Sequence, residues 1–289
     1  MDDQNRTDDK KRRGEYETEW SFSFDKLGDS LNKAFQSLGG DQEVKTEHIV
    51  EPKGEAAEAS ILLNLSLGEA TVSALEPGSP NLFEADLHYL GEIDYECTRG
   101  ASPAIRLRQR DKGVAGSVRR AFGSVAHRED LSWDIRISPD VPVRLKVKDG
   151  VGRANLNLDG LMLVDLEVEG GVGEPRISLP ETAHSYDVDF EAGVGSSTIR
   201  LPHETSVNLD IEGGVGTVRI LAEAGTALHL KAEAGVGNVR VPDDMRSIKE
   251  ERELLGRGGI WQTEGFDMAQ HQVYIKFEGG VGTMDLSYV

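Results

Sequence analysis

Cysteine is almost missing from this 289-residue chain: Cys97 stands alone, so no internal disulfide can form, which suits a reducing compartment. Basic residues are also scarce, with 32 Lys and Arg against 51 Asp and Glu, a net charge of −19. That balance excludes nucleic acid as a partner, because such binding is driven by cations that displace counterions. No run of 18 apolar residues occurs, so no transmembrane helix is expected. Residues Met1 to Glu15 are charged and hold no apolar stretch, which predicts no secretory signal. Together these absences point to the cytoplasm.

Motifs of familiar chemistry are absent too. The seven histidines (His48, His88, His127, His184, His203, His229, His271) are scattered without metal-ligand spacing. There is no Gly-x-Ser-x-Gly and no His-Glu-x-x-His. Gly193-Val-Gly195-Ser-Ser-Thr opens like a nucleotide loop but lacks the third glycine, and no helix is predicted after it. No cofactor, metal or catalytic residue is expected.

Glycine is abundant instead, with 33 in the chain, and its placement is periodic. Gly-Val-Gly recurs as Gly150–Gly152, Gly171–Gly173, Gly193–Gly195, Gly214–Gly216, Gly235–Gly237 and Gly280–Gly282, at intervals of 21, 22, 21, 21 and 45 residues. Three, five and seven residues before each triplet stand apolar residues, such as Val143, Leu145 and Val147, or Val207, Leu209 and Ile211. Six residues after each first glycine stands another: Leu156, Ile177, Ile199, Ile220, Val241, Leu286. Alternation of period two on both sides of a glycine corner is the mark of two half-buried strands. A constant period implies units that stack on one another. The expected fold is all-β, a repetitive β-solenoid of stacked coils of about 21–22 residues. An antiparallel hairpin sandwich would use the same glycines as loops, but near-constant spacing favours the solenoid.

Weaker copies extend the pattern. Leu63, Leu65, Leu67, Gly68, Val72 and Ala74 read as one coil, and Phe83, Ala85, Leu87, Tyr89, Gly91, Ile93 and Tyr95 as the next. Gly258-Gly259-Ile260 reads as a degraded corner. Residues 243–269 interrupt the repeat, with Asp243 to Leu255 expected as a short charged helix and Trp261 and Phe266 folding back as an end cap.

The N-terminus differs. Residues 1–19 are expected to be disordered. Residues 20–40 are expected to form a short amphipathic helix, with Phe24, Leu27, Leu31, Ala34, Phe35 and Leu38 on one face. Its four charges (Asp25, Lys26, Asp29, Lys33) cancel, which gives anionic lipid little to attract. The bland role is a cap on the first coil or self-association. Docking to a partner protein through Phe24, Leu27, Leu31, Phe35 and Leu38 is the sharper one, and peripheral membrane contact a third. Residues 43–130 then form an N-terminal β region and 131–289 the repeat domain. Within the first, Arg106, Arg108, Arg110, Lys112, Arg119, Arg120 and Arg128 face only Asp111, and are expected to pair with carboxylates of this chain or of a second copy.

Two acidic patterns bear on chemistry. Glu169, Glu191, Glu212, Glu233 and Glu278 each stand two residues before a triplet, and stacking would align them in a column. Calcium rolls also open with Gly-Gly-x-Gly, but need an Asp two residues on, where Pro175, Val218 and Met284 stand here. Asp165, Glu167, Asp187, Asp189 and Asp210 occupy outward positions that could host polysaccharide cleavage, yet solubility alone selects such acids.

Trp133-Asp134-Ile135 and Leu158-Asp159-Gly160-Leu161, leading into Glu169-Gly-Gly-Val-Gly173, resemble the bacterial toast-rack proteins over roughly residues 43–289. That group includes LiaF-like proteins of the cell-wall-active-antibiotic response and proposed adhesins with the same repeats. The resemblance implies stacked β-coils. It further implies an envelope-stress role, since LiaF-like proteins restrain a sensor kinase and carry transmembrane helices ahead of the β-domain. The expected function is a non-enzymatic interaction scaffold, with an adhesin-like or carbohydrate-binding surface as one alternative and carbohydrate cleavage as another.

Overall fold

The computed structural model describes residues 44–65, 67–110, 131–252 and 257–289. The segments read as a disordered tail and an amphipathic helix, and the basic residues from Lys112 to Arg128, lie outside them. In chain order the strands are β1 (Lys45–Pro52), β2 (Ala59–Asn64), β3 (Leu67–Ala74), β4 (Asn81–Tyr89), β5 (Ile93–Thr98), β6 (Ala104–Gln109), β7 (Ser132–Ile137), β8 (Val143–Lys148), β9 (Val151–Asn157), β10 (Leu163–Glu169), β11 (Val172–Gly173), β12 (Arg176–Ser178), β13 (Tyr186–Glu191), β14 (Val194–Arg200), β15 (Val207–Ala222), β16 (Leu228–Arg240), β17 (Arg246–Arg252), β18 (Arg257–Gln262) and β19 (Val273–Tyr288). Among the described residues the one regular helix is a 3-10 turn, Phe266–Met268.

Each coil is a pair of arms joined at a glycine corner; in β15, β16 and β19 one strand runs through the corner. Alternation decides which side chains go in. In β8 Val143, Leu145 and Val147 are buried, while Arg144, Lys146 and Lys148 point out. Inward residues of both arms, from Ile49 to Leu286, belong to one apolar core. Burying each such side chain contributes roughly 1.5–3 kcal/mol. The coils are parallel and in register: Leu145, Leu166, Val188, Leu209, Ile275 and Leu230 lie side by side across six rungs. This is the stacked-coil solenoid.

Its order is not the chain order. Running along the first arms, the stack reads β6, β2, β8, β10, β13, β15, β19, β16. The last coil, β19, is therefore inserted between β15 and β16 rather than added at the end. The reason lies in the insertion. β17 and β18 form an antiparallel hairpin, and β18 pairs with the far edge of the first arm of β16, with Leu230 opposite Trp261. That edge is occupied, so the sixth triplet takes the near one.

This hairpin corrects two expectations. The charged stretch is strand β17 from Arg246 to Arg252, not a helix, because its backbone is claimed by the ladder to β18. Gly258-Gly259-Ile260 lies inside β18 and is no corner. Trp261 and Phe266 are both 2% exposed, and Phe266 meets Tyr274 edge-on with ring centroids 5.0 Å apart.

The other end differs from expectation in the same way. Leu63 to Ala74 do form a coil, with Gly68 opposite Gly152. Phe83 to Tyr95 do not: β4 runs antiparallel between β1 and β7, and β5 antiparallel to β6. Phe83, Ala85 and Leu87 are still buried, so the alternation held while the direction reversed. Antiparallel strands here blunt the edge that an open stack would expose. β6 runs parallel beside β2, and β7 parallel beside β3, next to the two arms of the β2–β3 coil. Arg106, Arg108 and Arg110 reach the chain's own acids, Glu96, Asp94 and Glu92.

Candidate functional site

The corners are the most uniform feature of the molecule. Main-chain ladders run straight through them: Val172 N–H donates to Gly150 O, Val194 to Gly171 and Val215 to Gly193, each at 2.9 Å. The rungs approach so closely that a side chain is excluded. A Cβ on Gly193 would stand 1.9 Å from the carbonyl oxygen of Gly171. The second glycine has a further constraint, with φ +135° at Gly216, which disfavours any L side chain. The second glycines form one row: Gly152, Gly173, Gly195, Gly216, Gly282, Gly237. Of the first glycines, Gly171, Gly193 and Gly214 are packed equally tightly, each with a 1.9 Å approach, while Gly235 has 2.8 Å to Gly280 O. Gly280, in the inserted coil, instead takes φ +86°.

The valine between the glycines points outward. Val172, Val194, Val215, Val281 and Val236 are 42–51% exposed, and lie side by side in that order. Half-buried Val151 and Leu67 continue the row. Seven rungs at the usual strand spacing make a strip about 29 Å long. Glycine on both sides leaves bare backbone beside each valine, so the row stands up as a ridge. A contiguous exposed apolar row is a candidate contact surface. The sequence signal was present: all six triplets hold valine at a bend too tight to bury it.

Along one side of this ridge runs the column of acids. Glu169, Glu191, Glu212, Glu278 and Glu233 are register partners in that order. Lys148 and Lys146 hold the Glu169 carboxyl below the usual carboxylate range, chiefly by hydrogen bonds. Lys276 pairs with Glu278 and Lys231 with Glu233, both at 3.0 Å. Among the described residues Glu191 and Glu212 have no ion pair.

One corner departs from the rest. The residue before the first glycine is small in the other triplets (Gly170, Ala192, Gly213, Ala234, Gly279), but here it is Asp149. Its Oδ1 accepts from Gly150 N–H at 2.8 Å, and its Oδ2 is buried without a partner. Burial pushes the carboxyl up to about 6, against which the Gly150 and Gly171 amides work.

The outward acids also come together. Asp165 is opposite Asp187, Glu167 opposite Asp189, and Asp189 opposite Asp210. Asn208 donates to Asp187 at 2.7 Å, Lys276 to Asp210 at 3.0 Å, and Lys146 to Glu167. Burial, and then repulsion from the neighbouring acids, raises the Asp189 carboxyl. Asp187, Asp189 and Asp210 line an open groove on this sheet face together with Leu209, His229 and Tyr274. Phe24, Leu27, Leu31, Phe35 and Leu38 lie outside the described residues. Among the described residues no helix is long and apolar enough to cross a membrane.

Parallel coils, glycine corners and one continuous core define a β-repeat protein of the solenoid class. The model of the N-terminal domain of toast_rack matches residues 38–200, more than half of the chain, and the chain belongs to that family. A proposed cell adhesion protein from Clostridium sporogenes ATCC 15579 has a similar structure, at 19% identity and a TM-score of 0.52, covering 86% of this chain and 100% of its own. A proposed adhesin from Bacteroides fragilis NCTC 9343 shares 11% identity over the same coverage, with a TM-score of 0.31. None of the curated proteins compared matches the sequence.

Proposed function

We propose that this protein is a non-enzymatic interaction module that holds a protein partner along the valine ridge of its corners. The observation that carries this reading is the ridge itself, five valines 42–51% exposed in one row. Apolar side chains are left in water where rigid backbone presents them in a line, and docking a partner there removes them from it. Location in the cytoplasm rests on the lone Cys97 and the acidic charge, and a link to envelope stress on the family likeness. A second reading, adhesion, is favoured by the name of the Clostridium sporogenes structure. Finding the protein outside the cytoplasmic membrane would reverse the order of the two.

The test is in-cell photo-cross-linking. A photoreactive residue replacing Val194 is expected to trap a discrete protein adduct, while the same residue replacing Asp187 on the open sheet face traps none. Equal adducts from both positions would remove the ridge as the contact surface.

A further inference from the structure

Because β19 sits between β15 and β16, Tyr274 stands opposite Asn208 on one side and His229 on the other. We infer that the groove around this ring binds a neutral oligosaccharide. Tyr274 is seven residues ahead of Val281 in β19, so the groove is separate from the corner ridge.

Asp187, Asn208, Tyr274, His229 and Gln262 are register partners in that order, a row about 19 Å long at the usual strand spacing. At its centre the Tyr274 ring is 44% exposed, yet firmly held. It meets buried Phe266 edge-on, and the His229 ring lies 5.6 Å from both. Gln272 Nε2 donates to Phe266 O at 2.8 Å, His229 Nδ1–H to Gln262 Oε1 at 3.2 Å, and Gln262 Nε2 to Asp267 Oδ1 at 3.3 Å. On the other side of the ring Asn208 donates to Asp187 at 2.7 Å. The ring and its polar neighbours are therefore in place before a ligand arrives, which lowers the entropy cost of binding. The open groove holds about 440 Å³, within the usual range of small-ligand sites.

The row also selects the chemistry of its ligand. A pyranose presents C–H groups on its face and hydroxyls around its rim. The face packs on an exposed aromatic ring, and hydroxyls, being donors and acceptors at once, match carboxylate, amide and imidazole alike. Other ligand classes fit less well. An anion would meet Asp187, Asp189 and Asp210, and the two lysines of the groove are already committed. Lys276 pairs with Asp210 and Glu278, and Lys231 with Glu233, each at 3.0 Å. An extended peptide needs a free strand edge, but the first arms of β13, β15, β19 and β16 are each paired on both sides. A purely apolar ligand would find one exposed ring among polar groups.

The experiment uses the full chain with cellotetraose, maltotetraose and chitotetraose as neutral probes and tetragalacturonate as an anionic one. Saturation transfer from the protein's aromatic protons to the sugar protons reads direct contact with a ring. At least one neutral probe is expected to bind with a Kd of about 1 mM or tighter, and tetragalacturonate more weakly. Tyr274→Ala should weaken that binding at least about tenfold, Tyr274→Phe less than about threefold, and Val194→Ala on the ridge not at all. Melting curves should coincide, since Tyr274 and Val194 are exposed. Should Tyr274→Ala melt early, the exposed Asn208→Ala takes its place, with an expected loss of about threefold. No saturation of any neutral probe at about 10 mM, or undiminished binding by the groove variant, would overturn the proposal. Tighter binding of tetragalacturonate would overturn it too, by assigning the groove to anions.

Discussion

From Val143 to Ala222 the coils stack in the order in which the chain makes them; from Leu228 to Tyr288 they do not. Both regions share the same repeat, corners and register, and Leu209 and Ile275 are equally buried. The difference teaches that in-register parallel coils are close to interchangeable as neighbours. Any rung offers the next one the same ladder and the same apolar face. What decides the order is which edges are already occupied. In the middle nothing intervenes, and the next 21 residues take the nearest edge. At the end the β17–β18 hairpin occupies the outer edge of the first arm of β16, and β19 lies on its inner edge.

The strongest way to separate the regions is at the corners. Gly193→Val in the regular run drives a Cβ to within 1.9 Å of Gly171 O, and is expected to cost on the order of 5 kcal/mol. Gly235→Val at the irregular end meets its neighbour at 2.8 Å and should cost about half as much. Denaturant melts of both variants read the difference, and equal losses would show that the 2.8 Å approach at Gly235 is no easier to relieve than the 1.9 Å approach at Gly193.

Core truncation tests the insertion itself. Leu209→Ala and Ile275→Ala are each expected to cost about 2–5 kcal/mol, because both lie between two rungs. Had the last coil been added at the end of the stack, Ile275 would occupy its rim. Truncation there would then cost clearly less than at Leu209.

Asp149 offers a pH-dependent contrast with the small residues at the equivalent positions. Its folded value of about 6 lies above the ordinary 3.8, so the folded chain binds the proton more tightly. Stability therefore falls as pH rises between those two values, and stays lower above them. Asp149→Asn should flatten that slope and raise stability at pH 7 by about 1–3 kcal/mol. A variant no more stable than the parent at pH 7 would show that the carboxyl titrates normally.

The smallest effects belong to the glutamate column. Glu191→Gln is exposed and should change stability by less than about 0.5 kcal/mol. Calcium at about 1 mM is expected to leave the melting temperature unchanged. A calcium-dependent rise would make the column an ion site.

Much of this was legible along the chain. The alternation around Val207, Leu209 and Ile211 dictates which face is buried, because a strand's side chains alternate whatever its neighbours are. The glycine interval dictates the bend, because only glycine tolerates the approach seen at Gly193. Phe83 to Tyr95 mark where such legibility stops. Their alternation is right and their burial follows, but period two is identical in parallel and antiparallel strands. Arg246 to Arg252 mark a second limit. A charged stretch carries helix propensity, and the ladder to β18 overrides it.

By itself the sequence determined the repeat, the two arms of each coil, the inward residues and the corners, all of which depend on local geometry recurring every 21 or 22 residues. Tertiary structure alone decided the order of the rungs at both ends and the antiparallel strands that blunt them. It also decided that the corner valines share one exposed line. Each of these depends on which backbone edge meets which, and an edge carries the same hydrogen-bonding groups whatever side chains it bears.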